Sequence, residues 1–259
     1  MNKPIGFFAL LSIVISSQLG AGTFILPANI HLYGYYGLIG CAGAALLAML
    51  FAMIFSKLSI VIKDKDENKS GISLYINKTL GKDIGFFSGW VYWVICWASS
   101  VELVISANAF IEKFIGNSIS PLIIEIIILT FFSAINLFGV QFTSKIEKYL
   151  NIIKILPLII LPIVLLLFYF KSDNIYIVEE VKNIAPSNMI FSSLLITFWG
   201  FIGLECATMT SREIKNKDKN VTRATIIGTF IMGILYSINI LGVVGSAPSD
   251  KFYQSVTPF

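Results

Sequence analysis

A single carboxylate interrupts the apolar run Ser192-Ser193-Leu194-Leu195-Ile196-Thr197-Phe198-Trp199-Gly200-Phe201-Ile202-Gly203-Leu204-Glu205-Cys206-Ala207-Thr208. A charge at mid-membrane depth costs about +2.5–3.5 kcal/mol on insertion scales, so Glu205 is functional by default. A proton removes that cost, which suits Glu205 to proton coupling. The alternative is a carboxylate that caps the second half of its helix, where the helix dipole favours negative charge; the two roles are compatible.

Gly200 and Gly203 weaken the helix just before that carboxylate. A matching interruption lies near the amino end, where Ser16-Ser17-Gln18-Leu19-Gly20-Ala21-Gly22-Thr23 separates Gly6-Phe7-Phe8-Ala9-Leu10-Leu11 from Phe24-Ile25-Leu26-Pro27. Gly20 and Gly22 let a ligand approach the backbone closely. Small residues also mark places where membrane helices pack, and for one break alone that reading competes. Two glycine-broken segments at corresponding places in two halves are the sequence pointer to a substrate site in an inverted-repeat transporter.

The elements that must hold these breaks are hydrophobic spans. Of 259 residues, 56% are apolar and 13% charged, a balance that leaves too little polar surface to cover a water-soluble core. A bilayer core takes roughly 20 apolar residues per helix, and runs of that kind fall near 5–30, 36–57, 84–112, 120–143, 146–170, 187–209 and 222–246. The longest polar stretch, about Lys57 to Lys82, is too short for a core of its own. The expectation is one all-α integral membrane domain over 1–259, with a first five-helix unit at 5–170 and the start of a second at 187–246. Pro157 and Pro162 would bend the fifth span, which is tolerated where neighbours satisfy the freed carbonyls.

The net charge of +4 does not indicate a nucleic-acid partner, because its distribution is topological. With a cytoplasmic amino terminus, one side holds Lys3, Lys57, Lys63, Lys65, Lys69, Lys78, Lys82, Lys145, Lys148, Lys154, Arg212, Lys215, Lys217, Lys219 and Arg223, which is 15 of the 19 cations. Lys113, Lys171, Lys182 and Lys251 remain for the other side. That bias is the positive-inside pattern, and it places the carboxy end outside.

Other classes fit less well. A secretory signal would be shorter, with small residues after its apolar segment; here they lie within it. Cys41, Cys96 and Cys206 fall inside spans without metal-ligand spacing and read as packing residues. No metal site or cofactor is expected, and no nucleophile elbow, phosphate loop or His–Glu cluster points to an enzyme. A seven-span retinal receptor would need a lysine deep in its last helix, whereas Thr222 to Gly242 holds only Arg223. His31 is expected in an outer loop, exposed.

The residues that carry chemistry also carry a resemblance. Gly20-Ala21-Gly22-Thr23-Phe24 with Leu26-Pro27, and Phe198-Trp199-Gly200-Phe201-Ile202-Gly203-Leu204-Glu205, resemble the amino acid–polyamine–organocation transporters, nearest the basic amino-acid/polyamine antiporters of the arginine/agmatine exchanger type. The similarity runs the length of the chain and includes Tyr92-Trp93, Cys96-Trp97 and Asn136. It implies the LeuT-like fold, a five-plus-five inverted repeat with two further helices. Against that fold, the seven spans correspond to the first repeat and two helices of the second, and Ser255-Val256-Thr257-Pro258-Phe259 resembles the loop before the eighth helix. The function implied is secondary active transport of an amino acid or polyamine, by exchange or proton coupling, in the cell's inner membrane. An inactive or split-gene piece of such a transporter is the alternative. Partners on this reading are substrate, protons and the lipid bilayer, with a second polypeptide supplying further helices and a homodimer both left open.

A zwitterionic substrate needs both charges compensated without many full charges in lipid, and helix breaks do this with backbone groups. The half-helix after Gly20 would offer the N–H groups of Ala21, Gly22 and Thr23 to a carboxylate. Carbonyls near Trp199, Gly200 and Ile202, with that of Gln18, would receive an ammonium. The resemblance gives these positions the same roles, packs the Trp199 ring on the substrate, and pairs Glu205 with Tyr92 in gating. It also marks a departure, since the antiporters often have serine where Ala21 stands. Tyr92 and Trp97 are expected to face a cavity. Glu102 stands at mid-membrane depth where the antiporters tend to have a small or apolar residue. Either it meets a cationic side chain of the substrate, with Ser100 and Leu103 lining the same end of the pocket, or it turns toward protein or a basic residue in further helices.

Overall fold

The computed structural model describes residues 6–20, 22–62, 71–116, 119–138, 140–171, 173, 175, 177, 181–209 and 216–246. Among these, the ordered elements are helices: α1 Phe7–Gln18, α2 Gly22–His31, α3 Gly34–Val61, α4 Ile72–Leu80, α5 Lys82–Ile115, α6 Pro121–Leu137, α7 Val140–Phe168, α8 Pro186–Trp199, α9 Cys206–Met209 and α10 Lys217–Val244. Among the described residues, four stretches are long and apolar enough to cross a membrane: α3, α5, Tyr149–Phe168 of α7 and Lys219–Val244 of α10. The spans expected at 5–30 and 187–209 are each divided in two, at the glycines that the sequence singled out. The polar stretch between Lys57 and Lys82 holds the short helix α4, which docks by burying Leu74 and Tyr75.

Helix ends follow the local chemistry. Pro121 and Pro186 open α6 and α8 in the first turn, where their missing N–H is not needed. Gly81, at φ +99°, separates α4 from α5. The connection between α2 and α3 is only Leu32–Tyr33, so α3 folds back at once over the end of α2. His31 ends α2 and is 1% exposed, not the exposed loop residue expected. Its neighbour Ile30 is packed with Cys41, Ile175, Ile240 and Val244.

The centre of the packing is α3 against α8 and α10. Apolar side chains gain little from leaving lipid for one another, so close backbone approach must supply the contacts. α3 has the residues for it: Gly37, Gly40, Cys41, Ala44, Ala48, Ala52, Ser56 and Ser59 are all buried at helical spacing. A Cβ on Gly40 would lie 2.7 Å from the Ile190 carbonyl oxygen of α8. Around this seam Leu19, Leu26, Leu158, Phe201, Leu204, Met232 and Tyr236 form a buried cluster that joins both broken helices to α7 and α10.

Pro162 cannot donate to the Leu158 carbonyl one turn below it. Asn239 of α10 takes over, its Nδ2 donating to that carbonyl at 3.0 Å and to Leu235 O at 2.8 Å. Replacing Asn239 with leucine leaves the Leu158 oxygen without its donor in a buried place. We expect a loss of about 1–3 kcal/mol, read as a Tm lower by roughly 2–4 °C per kcal/mol in detergent. An unchanged Tm would show that the bend needs no support from α10.

Candidate functional site

The first helix ends at Gln18. The Leu19 N–H closes the last turn onto Ile15 and Ser16 carbonyls at 3.1 Å, and α2 starts at Gly22. Ala21 lies outside the described residues. The second break runs from Gly200 to Glu205, a set of tight turns with Gly203 at φ +105°. A side chain is strained at that angle, and its Cβ would lie 2.5 Å from the Ser17 carbonyl oxygen. Gly203 thus lets the two breaks touch. Ser17 Oγ donates across the contact to the Gly203 carbonyl at 2.8 Å.

Tyr236 of α10 joins the breaks from behind. Its hydroxyl lies within donating distance of the Gln18 carbonyl and of the Gly200 carbonyl, the latter at 2.7 Å, and accepts from Thr23 Oγ1 at 3.3 Å. One phenol has one proton, so the two carbonyls share it. The ring stacks edge-to-face on Phe201, with centroids 5.1 Å apart. Nothing in the sequence marks Tyr236. It is a lone tyrosine in an apolar span, and only the packing of α10 brings its oxygen to both breaks.

An open-sided cavity of about 120 Å³ lies between the breaks, lined by Ser17, Gln18, Gly20, Ser99, Glu102, Leu103, Trp199, Gly200, Ile202 and Tyr236. The structure therefore gathers Gln18, Gly20, Leu103, Trp199 and Ile202 around one space. Gly22 opens α2, while Thr23 is buried behind the cavity with its hydroxyl on Tyr236. The Thr23 N–H, expected to be available to a ligand, is turned onto the Gly20 carbonyl at 3.2 Å. The Trp199 carbonyl likewise accepts from Ile202 N–H at 3.2 Å, and those of Gln18 and Gly200 face Tyr236. Each oxygen retains a second lone pair.

On α5 the cavity is lined by Ser99, Glu102 and Leu103. Ser100 stands outside the lining, exposed, with its hydroxyl on the Cys96 carbonyl at 2.9 Å. The reason is helical phase: residues three and four apart share a face, and Ser99 is in phase with Glu102 and Leu103. Trp97 is also outside the lining, at 51% exposure. A second cavity adjoins the first through Gly20 and Leu103, and Lys154 of α7 lines it. Lys154, which the charge pattern groups with the cytoplasmic loops, thus reaches the level of the first break.

Glu205 is 7% exposed. Its Oε1 accepts from the Tyr92 hydroxyl at 2.9 Å, and its Oε2 accepts from the Gly203 N–H at 3.1 Å. The side chain turns back into the break, away from the four-residue helix α9 that follows it. Glu205 therefore connects α5 to the one glycine where the two breaks touch. α1 is tied separately to α7, through Ser16 Oγ to Asn151 Oδ1 at 2.6 Å and Asn151 Nδ2 to Ser12 Oγ at 3.3 Å.

Two interrupted helices facing one cavity, among apolar helices long enough to cross a bilayer, define a multi-pass membrane protein of the broken-helix kind. The chain belongs to the amino acid permease family, whose sequence model, described as Amino acid permease, matches residues 5–256. It is similar to a protein of Escherichia coli (strain K12) provisionally named an arginine/ornithine antiporter, with 30% identity over 93% of this chain and 56% of that protein. A Shigella flexneri protein of the same name matches equally. The cadaverine/lysine antiporter of Escherichia coli (strain K12) is 25% identical over 99% of this chain and 57% of its own length. The chain spans about half the length of the curated relatives it matches.

Proposed function

We propose that the cavity between the two breaks binds an amino acid or polyamine, and that the chain serves secondary active transport of that substrate by exchange or proton coupling. The observation that carries this reading is the shared cavity: residues of both breaks, Gln18 and Gly20 from one and Trp199, Gly200 and Ile202 from the other, line one space. Relatives named for arginine, ornithine, lysine and cadaverine support a substrate of that chemistry. The substrate carboxylate is held at the start of α2, by Gly20, Ala21 and Gly22 with Thr23 behind them. Its ammonium is held by carbonyls of Gln18, Trp199, Gly200 and Ile202. Ile202 and Leu103 supply apolar walls.

Glu205 and Tyr92 form the gating and proton-coupling pair on this reading. A proton on Glu205 changes what the Tyr92 hydroxyl and the Gly203 N–H can bond to, and so the hold between α5 and the second break. The charge bias supports a cytoplasmic amino terminus, and a place in the cell's inner membrane goes with the transporter reading. The exposed apolar faces of α5, α6 and α7, among them Phe114, Ile127, Phe131 and Phe168, suit lipid or the helices of a second polypeptide.

Gly20 offers a test that separates binding from folding. A Cβ there meets nothing within 4 Å, because it points into the open space of the site. Gly20→Leu should leave Tm within the range of a neutral surface change, about 0.5 kcal/mol. Binding of radiolabelled lysine to the chain in nanodiscs should fall by about tenfold or more, ~1.4 kcal/mol. Lysine binding that survives the substitution would rule out this cavity as the site.

A further inference from the structure

We propose that Glu102 is the specificity residue of this cavity, receiving the distal cation of a dibasic amino acid; the proposal rests on the reading of the cavity as the substrate site. The cavity has two chemically different ends. At the breaks it is lined by Ser17, Gln18, Gly20, Trp199, Gly200 and Ile202, none of them charged, so the head of an amino acid meets dipoles there and no full charge. On the α5 side its lining is Ser99, Glu102 and Leu103, and Glu102 is the one carboxylate among the lining residues.

Charge accounting gives Glu102 its role. Once backbone dipoles have matched a zwitterionic head, a second ammonium or guanidinium at the far end of the substrate leaves one positive charge uncompensated beside the half-exposed apolar side chains of Leu103, Ile202 and Trp199 at membrane depth. A buried charge without a partner is strongly disfavoured. A carboxylate that lines the same space supplies the partner. Among the described residues no hydrogen bond or ion pair engages Glu102 itself. Lys154 lines the adjoining cavity, and a structural pairing with it is the competing role for Glu102. Ser99, one turn below on the same face, is placed to share the distal group as a hydrogen-bond acceptor.

Lysine and norleucine separate these roles, because norleucine keeps the head and chain length and lacks the distal amine. Equilibrium binding of each would be measured on the full chain in nanodiscs, for wild type, Glu102→Gln and Gly20→Leu. Wild type should prefer lysine. Glu102→Gln should lower lysine affinity by about tenfold or more and leave norleucine unchanged, removing the preference. Retained preference for lysine in Glu102→Gln would overturn the assignment, as would equal loss of both ligands together with a lowered Tm, the signature of a structural pair with Lys154. Gly20→Leu tests the underlying reading, since it should weaken both ligands. If both bind it as tightly as wild type, the cavity is not the site and the role of Glu102 falls with it.

Discussion

Gly203→Val is expected to prevent the two breaks from meeting and, with them, the fold around the cavity. Two costs add at this position. The first is backbone strain at φ +105°, on the order of 1–3 kcal/mol for a residue other than glycine. The second is collision, since a Cβ would lie 2.5 Å from the Ser17 carbonyl oxygen, 2.8 Å from its carbon and 3.0 Å from the Ser17 Cβ. A backbone carbonyl cannot rotate aside as a flexible side chain can. Any retreat of the second break also pulls the Gly203 carbonyl from Ser17 and Glu205 from Tyr92. We expect Tm in detergent to drop by on the order of 10 °C, at roughly 2–4 °C per kcal/mol, or the protein to be lost on extraction. Gly116→Ala is the control: Gly116 has φ +70° with nothing within 4 Å, so it feels strain without collision. Equal losses for Gly203→Ala and Gly116→Ala would show that contact between the breaks contributes nothing.

The breaks are legible in the sequence because a glycine-rich polar interval inside an apolar run gives up helical hydrogen bonds that lipid cannot replace, and Gly20 and Gly203 both stand where the helices stop. Helical phase is not legible. α5 is apolar on every side, so no stripe distinguishes the face of Ser99, Glu102 and Leu103 from that of Ser100. The choice is made by the pairing of Tyr92 with Glu205 across 113 positions of chain. His31 departs from expectation because a polar residue at the end of a span reads as loop, whereas it is the last residue of α2, which packs against α10, α8 and α3. Lys154 shows the same limit from the charge side, since a cation in the first turns of a span counts as cytoplasmic until the depth of its neighbours is known. Asn239 and Tyr236 are invisible in the sequence for a common reason. Each is a polar residue in an apolar helix whose partner is a backbone carbonyl on another helix, and backbone carbonyls carry no sequence signature.

Tyr236→Phe isolates such a partner and is expected to be the most damaging single-atom change in the site. Removal of one oxygen leaves the ring, its place against Phe201 and the volume of the buried cluster intact, so any loss belongs to the hydroxyl. The Gln18 and Gly200 carbonyls, at the last turns before each break, lose their shared donor, and Thr23 Oγ1 loses its acceptor. A buried polar group left unmade costs about 1–3 kcal/mol; three such groups depend on this oxygen, and water entering from the cavity offsets part of the sum. A net loss of about 2–4 kcal/mol is expected, seen as a Tm decrease of roughly 4–16 °C at the same conversion. The effect on ligand has the opposite sign from what stability alone would suggest. With the phenol gone, both carbonyls are free for a substrate ammonium, so the loss of Tm on Tyr236→Phe should be partly recovered by saturating lysine, through the linkage of binding to folding. Recovery by lysine greater than in wild type would mean that Tyr236 and the substrate compete for the same carbonyls. Equal recovery in the two proteins would mean that the phenol braces the breaks without standing in the ligand's place.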